Sequence, residues 1–191
     1  MINRELYMEQ ITPFIDKPFV KVITGIRRCG KSVVLRLIRE ELLRRGVSED
    51  YIIYMNFESF EWIDMKEAKA LYAHIREATK APGKYYILLD EIQEVTDWEK
   101  AVNAFLVDLD VDIYVTGSNS RLLSSEFSTY LAGRYVAFHI MTLSFREYLL
   151  FHDLPLTISV SDRKTEFLKY LRMGGFPAIH TANYDLSLIH I

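Results

Sequence analysis

The sequence predicts an α/β fold, a three-layer sandwich with a largely parallel sheet between helices. Short apolar runs rich in β-branched residues alternate with helix-like stretches. One run, Tyr85–Leu89, is apolar throughout, as a strand buried on both faces requires. A glycine-bracketed loop joins the first apolar run to the first long helix-like stretch.

Phe19–Thr24 reads as the first strand. Lys31–Arg45 reads as a helix, because Val34, Leu35, Ile38 and Leu42 share one face and Gly46 is a good stop. Tyr51–Asn56 is the second strand. Lys66–Thr79 is a helix ended by Pro82 and Gly83. The third strand is Tyr85–Leu89. A helix over Trp98–Leu109 leads to the fourth strand, Val111–Thr116, and Tyr135–Ile140 is the fifth. Ser144–Phe151 is helical, opened by a capping-box pair, Ser144 and Glu147. Asp162–Met173 is a further helix, closed by Gly174 and Gly175. Pro155 marks the expected hinge between a sheet domain, residues 1–153, and a helical appendage, residues 154–185.

The 191 residues suit one domain, and the net charge of -3 gives no whole-chain attraction to nucleic acid or anionic lipid. Cys29 is the only cysteine, which excludes a disulfide framework and a thiolate metal site. Met1–Gln10 lacks the apolar stretch of a signal peptide, and no apolar run approaches the ~20 residues that span a bilayer. The expectation is a cytoplasmic protein without a membrane partner. Arg36, Arg39, Arg44 and Arg45 make the first long helix basic, as solvated faces commonly are.

Gly25-Ile26-Arg27-Arg28-Cys29-Gly30-Lys31-Ser32 matches G-x-x-x-x-G-K-[ST] at every fixed position. Glycines let backbone N–H groups curl around phosphate, and the helix that begins there adds free N–H groups and its positive dipole end. Residues Gly25 to Val33 are therefore expected to bind the phosphates of ATP, with Lys31 reaching the β and γ phosphates and the Ser32 hydroxyl on Mg²⁺. Cys29 serves through its backbone; its thiol is expected to be inert. Arg27 and Arg28 are either solvated or in contact with phosphates or a partner subunit.

Tyr85–Leu89 runs into Asp90-Glu91. Ligands of open α/β sheets sit beyond the carboxyl ends of strands, which brings both carboxylates near the loop. Asp90 suits the magnesium shell, and Glu91 suits polarising a water for attack on the γ-phosphate. The fourth strand ends in Thr116-Gly117-Ser118-Asn119. Asn119, or Ser118, is the candidate for contacting the γ-phosphate and the attacking water, against a plain turn. Asn56, ending the second strand, is a candidate hydrogen-bond partner of Glu91.

Together these elements resemble an AAA+ P-loop ATPase. More narrowly, they resemble a prokaryotic group in which an AAA domain precedes a nuclease-like domain of unknown function. The likeness is carried by Thr24–Ser32, by Leu89-Asp90-Glu91-Ile92-Gln93, by Thr116–Ser120, and by Gly133-Arg134-Tyr135 leading into Leu143–Tyr148. It spans about Arg4 to Pro177. The resemblance implies a sheet order of 5-1-4-3-2 and the start of a helical lid at residues 154–185. It suggests Arg134 as an arginine finger, the alternative being an ion pair with a carboxylate such as Glu126. A finger acting in trans requires a homo-oligomer. DNA enters as a partner from the resemblance alone. A lid-borne phosphate sensor is not assignable, because the lid is barely begun.

Residues 186–191 fit no element. Their codons can be written as the end of a transposon-based sequencing adapter, so the natural chain is expected to continue past Asp185. Two other readings compete with ATP hydrolysis: a nucleotide-gated interaction module that does not hydrolyse, and a kinase sharing the loop. Glu91 beside Asp90 favours hydrolysis over the kinase, since it suits water activation.

Overall fold

A computed structural model of the chain describes residues 4–118, 122 and 130–181. Within them lie five parallel strands: β1 (Val20–Gly25), β2 (Ile52–Asn56), β3 (Tyr85–Asp90), β4 (Val111–Gly117) and β5 (Tyr135–Ile140). Their order is β2-β3-β4-β1-β5, the order expected. Register pairs Val22 with Val115, Val22 with Ala137, and Leu89 with both Met55 and Val115.

Alternation along each strand divides the core into two layers, because successive side chains leave opposite faces. Val20, Val22, Ile87, Leu89, Ile113 and Val115 face one side. There they meet α3 (Ala68–Ala78) through Leu71 and Ile75, and α4 (Trp98–Asp108) through Trp98, Val102 and Phe105. Ile23, Leu88 and Tyr114 face the other side, against α1 (Glu5–Ile11) and α2 (Lys31–Arg44). Val34, Leu35, Ile38 and Leu42 of α2 are all fully buried. Each such burial contributes about 2 kcal/mol, against propensity differences below about 1 kcal/mol per residue, so packing decides where this helix lies.

The helices beyond the sheet are α5 (Phe145–Phe151), α6 (Val160–Met173) and α7 (Pro177–Thr181). The capping box of α5 is present: Ser144 Oγ accepts from the Glu147 N–H at 3.2 Å, and the Ser144 N–H donates to Glu147 at 2.8 Å. Helix α6 starts two residues before the expected Asp162, because the Ser159 hydroxyl accepts from the Asp162 N–H and caps the turn. Helix α3 starts later than expected, at Ala68, since Phe60–Met65 forms its own 3-10 run. Helices α1 and α7 have too few turns to show an apolar period, and the sequence reading missed both. Among the described residues, no helix is long and apolar enough to cross a membrane. The expected adapter-derived segment, residues 186–191, lies outside the described residues.

Candidate functional site

The loop between β1 and α2 leaves the sheet at its carboxyl edge, flanked by the ends of β4 and β5. Gly25 takes φ +155°, and a Cβ there would sit 2.3 Å from the Ile140 carbonyl oxygen and 2.8 Å from Cys29 Sγ. Only glycine fits that approach. Ile26, Arg27 and Arg28 are exposed at the tip, whereas Cys29 is fully buried behind them. Burial pushes the Cys29 thiol pKa upward, which disfavours the thiolate. Arg27 pairs with Glu58 at 2.9 Å, with both side chains exposed. Arg28 adopts a left-handed φ of 65°.

Lys31 opens α2 and is nearly buried. Its ammonium turns back into the loop, donating to the carbonyls of Gly25 and Ile26 at 3.4 Å each and pairing with Glu91 at 3.2 Å. Ser32 and Val33 follow, half-buried, in the same first turn. The Val33 N–H already donates to the Gly30 carbonyl at 3.1 Å, while the earlier N–H groups of the turn offer a natural anion seat.

Asp90 ends β3 and is fully buried. The Thr116 hydroxyl donates to its Oδ1, and the Tyr54 hydroxyl donates to its Oδ2 at 3.2 Å. Burial and then the Asp90 charge raise the Tyr54 pKa to about 12, so the phenol stays a donor. Thr116 Oγ1 also accepts from the Glu91 N–H at 2.9 Å. One hydroxyl thus orders both acidic residues. Glu91 sits at φ 53°, a left-handed conformation that carries its side chain out of the strand alternation and toward Lys31.

One placement differs from expectation. Asn56 does not meet Glu91: its Oδ1 accepts from the Glu58 N–H at 3.0 Å. Gln93 holds that place instead, donating from Nε2 to Glu91 Oε2 at 2.6 Å. Space for Gln93 comes from Gly117, where a Cβ would lie 2.0 Å from Gln93 Oε1. That oxygen is buried and has no hydrogen-bond partner among the described residues. The sequence signal for Gln93 was its spacing, two residues after Glu91 on a turn. Arg134 precedes β5 at the amino end of the sheet, its carbonyl accepting from the Val20 N–H at 2.8 Å. The whole of β5, roughly 20 Å, separates it from its own loop. Its exposed guanidinium donates to Asn103 at 3.0 Å. Asn119 and Glu126 lie outside the described residues; Ser118, half-buried, follows β4.

The donor set fits magnesium. A buried carboxylate and a serine hydroxyl are hard oxygen ligands, and magnesium is commonly held by one or two carboxylates with phosphate oxygens and water completing its shell. Among the described residues, no group of three or more His, Cys, Asp or Glu side chains could hold a metal unaided. A cavity of about 660 Å³ adjoins the loop, lined by Gly30, Val33, Leu143, Leu150, Phe151 and Pro177 among others. It joins the start of α2 to α5 and α7.

A family profile described as an AAA domain matches residues 17–149. An uncharacterized protein of Haemophilus influenzae is 43% identical over 190 residues, covering 98% of this chain and 46% of that protein. The uncharacterized protein MJ1544 of Methanocaldococcus jannaschii is 35% identical over 184 residues, covering 94% of this chain and 39% of that protein. The chain thus spans less than half the length of the curated relatives it matches. AMPPCP-bound DnaA from Aquifex aeolicus has a similar fold, with TM-score 0.59 and 16% identity over 93% of this chain and 58% of DnaA. The profile match supports the AAA domain; these matches do not support the nuclease-like domain that the resemblance implied.

Proposed function

This chain belongs to the AAA domain family, and from that premise we propose that it binds ATP with Mg²⁺ and hydrolyses it to ADP and phosphate. The observation that carries the reading is the Lys31 ammonium inside the loop, paired with Glu91. The buried Asp90 lies behind them, ordered through Thr116.

Backbone N–H groups of Gly25 to Val33 receive the phosphates, and Lys31 releases the loop carbonyls to bridge the β and γ groups. The cavity beside Val33 takes the base, with Leu143, Leu150 and Phe151 offering apolar contact and Arg4, Glu5, Asp153 and Thr181 polar groups around it. Ser32 and Asp90 would hold the magnesium, which neutralises phosphate charge when bound. Glu91 accepts a proton from water as its oxygen attacks the γ-phosphorus. The bond from that phosphorus to the bridging oxygen breaks, and the electron pair leaves on ADP. Asn119 is retained as the candidate contact to the γ-phosphate, and Arg134 as a finger for a neighbouring subunit. Residues 154–185 begin a helical lid. Turnover drives or gates whatever the longer protein carries beyond this region, with DNA as a candidate partner.

The test is calorimetry with MgATP alongside phosphate release by the whole protein, with and without DNA. Lys31→Ala removes the one ammonium in the loop and should weaken MgATP binding at least tenfold. Equal affinity in both proteins would refute the site. Binding without phosphate release would favour the nucleotide-gated module.

A further inference from the structure

We propose that Arg4 sets the conformation of the phosphate loop and couples it to the helical segment after the sheet. Only the identity of the loop's ligand rests on the nucleotide reading above. Arginines are seldom fully buried without partners, yet Arg4 is 2% exposed. Its Nη1 donates to the Cys29 carbonyl in the loop at 2.7 Å. Its Nη2 donates to the Met141 carbonyl, just past β5, at 2.9 Å. Its Nε donates to Glu147 Oε1, in the first turn of α5, at 2.9 Å. The Tyr7 ring lies 4.6 Å from its Cζ and completes the seat.

This geometry acts on the loop through one peptide. A trans peptide points its C=O and N–H in opposite directions. Holding the Cys29 carbonyl on Arg4 therefore turns the Gly30 N–H away from Arg4 and fixes one amide of the loop. Arg4 is a positioning residue, acting through that peptide. The other end of the fork reaches α5. Glu147 Oε2 also accepts from the Ser144 N–H at 2.8 Å and from Ser144 Oγ at 2.9 Å, closing the capping box. Any shift of α5 thus moves the carboxylate that holds Arg4, and Arg4 moves the Cys29 peptide. A lysine cannot reproduce this, because a single ammonium lacks the planar fork that spans three acceptors.

Cys29 gives a direct readout. It is buried against the loop, and its thiol is shielded while the loop keeps its shape. In the whole protein, Cys29 alkylation would be followed by mass spectrometry of its peptide, with MgATP affinity measured by calorimetry. Arg4→Lys should speed Cys29 alkylation about tenfold and weaken MgATP binding about tenfold. Val102→Ala, in the core layer on the other face of the sheet, is the control for global destabilisation. At matched Tm it should do neither. Should Arg4→Lys fail to fold, Glu147→Gln carries the same readouts with a smaller effect, about threefold. Unchanged alkylation, equal acceleration in the Val102→Ala control, or faster alkylation with unchanged MgATP affinity would each overturn the proposal. If the wild type binds no MgATP, the nucleotide reading falls and the alkylation arm alone decides this one.

Discussion

Lys31 and Glu91 form an ion pair beside the phosphate loop, Nζ to Oε1 at 3.2 Å, with side chains 2% and 12% exposed. The pair joins the first residue of α2 to the residue after β3. Under the proposed function, phosphate and Glu91 compete for one ammonium, and binding frees the carboxylate to meet water.

Glu91→Gln follows from that competition. The amide keeps the shape but holds Lys31 more weakly and cannot take a proton from water. MgATP affinity should stay level or rise, while phosphate release falls about 100-fold or more. Calorimetry and a phosphate assay on the whole protein check both; wild-type turnover would remove Glu91 as the base.

Arg134 stands too far from its own loop to serve it, so the finger proposed above would have to act on a neighbour's. Arg134→Ala should lower kcat at least about tenfold while MgATP binding persists. Mixing it with Lys31→Ala protein, under conditions where subunits exchange, should restore part of the activity. A mixture that stays dead although sedimentation shows assembly would remove the finger and leave Arg134 a structural residue, bonded to Asn103.

Lys21 and Asp112 form a fully buried ion pair below the sheet. Asp112 also accepts from the Asp16 N–H and the Tyr114 hydroxyl, each at 2.8 Å. Lys21→Met would strand the carboxylate and should cost about 3–5 kcal/mol by urea denaturation. Adding Asp112→Asn, which keeps an acceptor without the charge, should recover part of the loss. Additive losses in the double variant would contradict this account.

His152 and His180 tie α5 to α7, ring nitrogen to ring nitrogen at 3.2 Å. His180 Nε2 lies 2.8 Å from the Gly174 carbonyl, which can only accept, so His180 Nδ1 is left to accept from His152. Burial first, then His180, holds the His152 pKa below 6.5; Lys169 reinforces the shift, while Glu166 and Asp153 oppose it. The unfolded chain therefore binds more protons through this window. The stabilisation is complete above pH 6.5 and fades as pH falls through the depressed value. Hydrogen exchange in α7, corrected for intrinsic rate, should be faster at pH 5.5 than at pH 7.5, and His152→Gln should flatten the difference. Protection independent of pH in the wild type would sink the idea.

The sequence by itself determined the loop, the two acidic residues, the five strands and the α5 cap. Each depends on neighbours in the chain: fixed motif spacing, strand alternation, or a serine three residues before a glutamate. Strand order came from resemblance, since alternation does not say which strand lies beside which. Tertiary structure alone decided that Gln93 rather than Asn56 holds Glu91. It also put Arg134 at the far edge of the sheet and gathered Arg4, Cys29, Met141 and Glu147 around one guanidinium. The physical reason is distance along the chain. Arg4 and Glu147 are 143 positions apart, and no local pattern records a contact that only packed layers create.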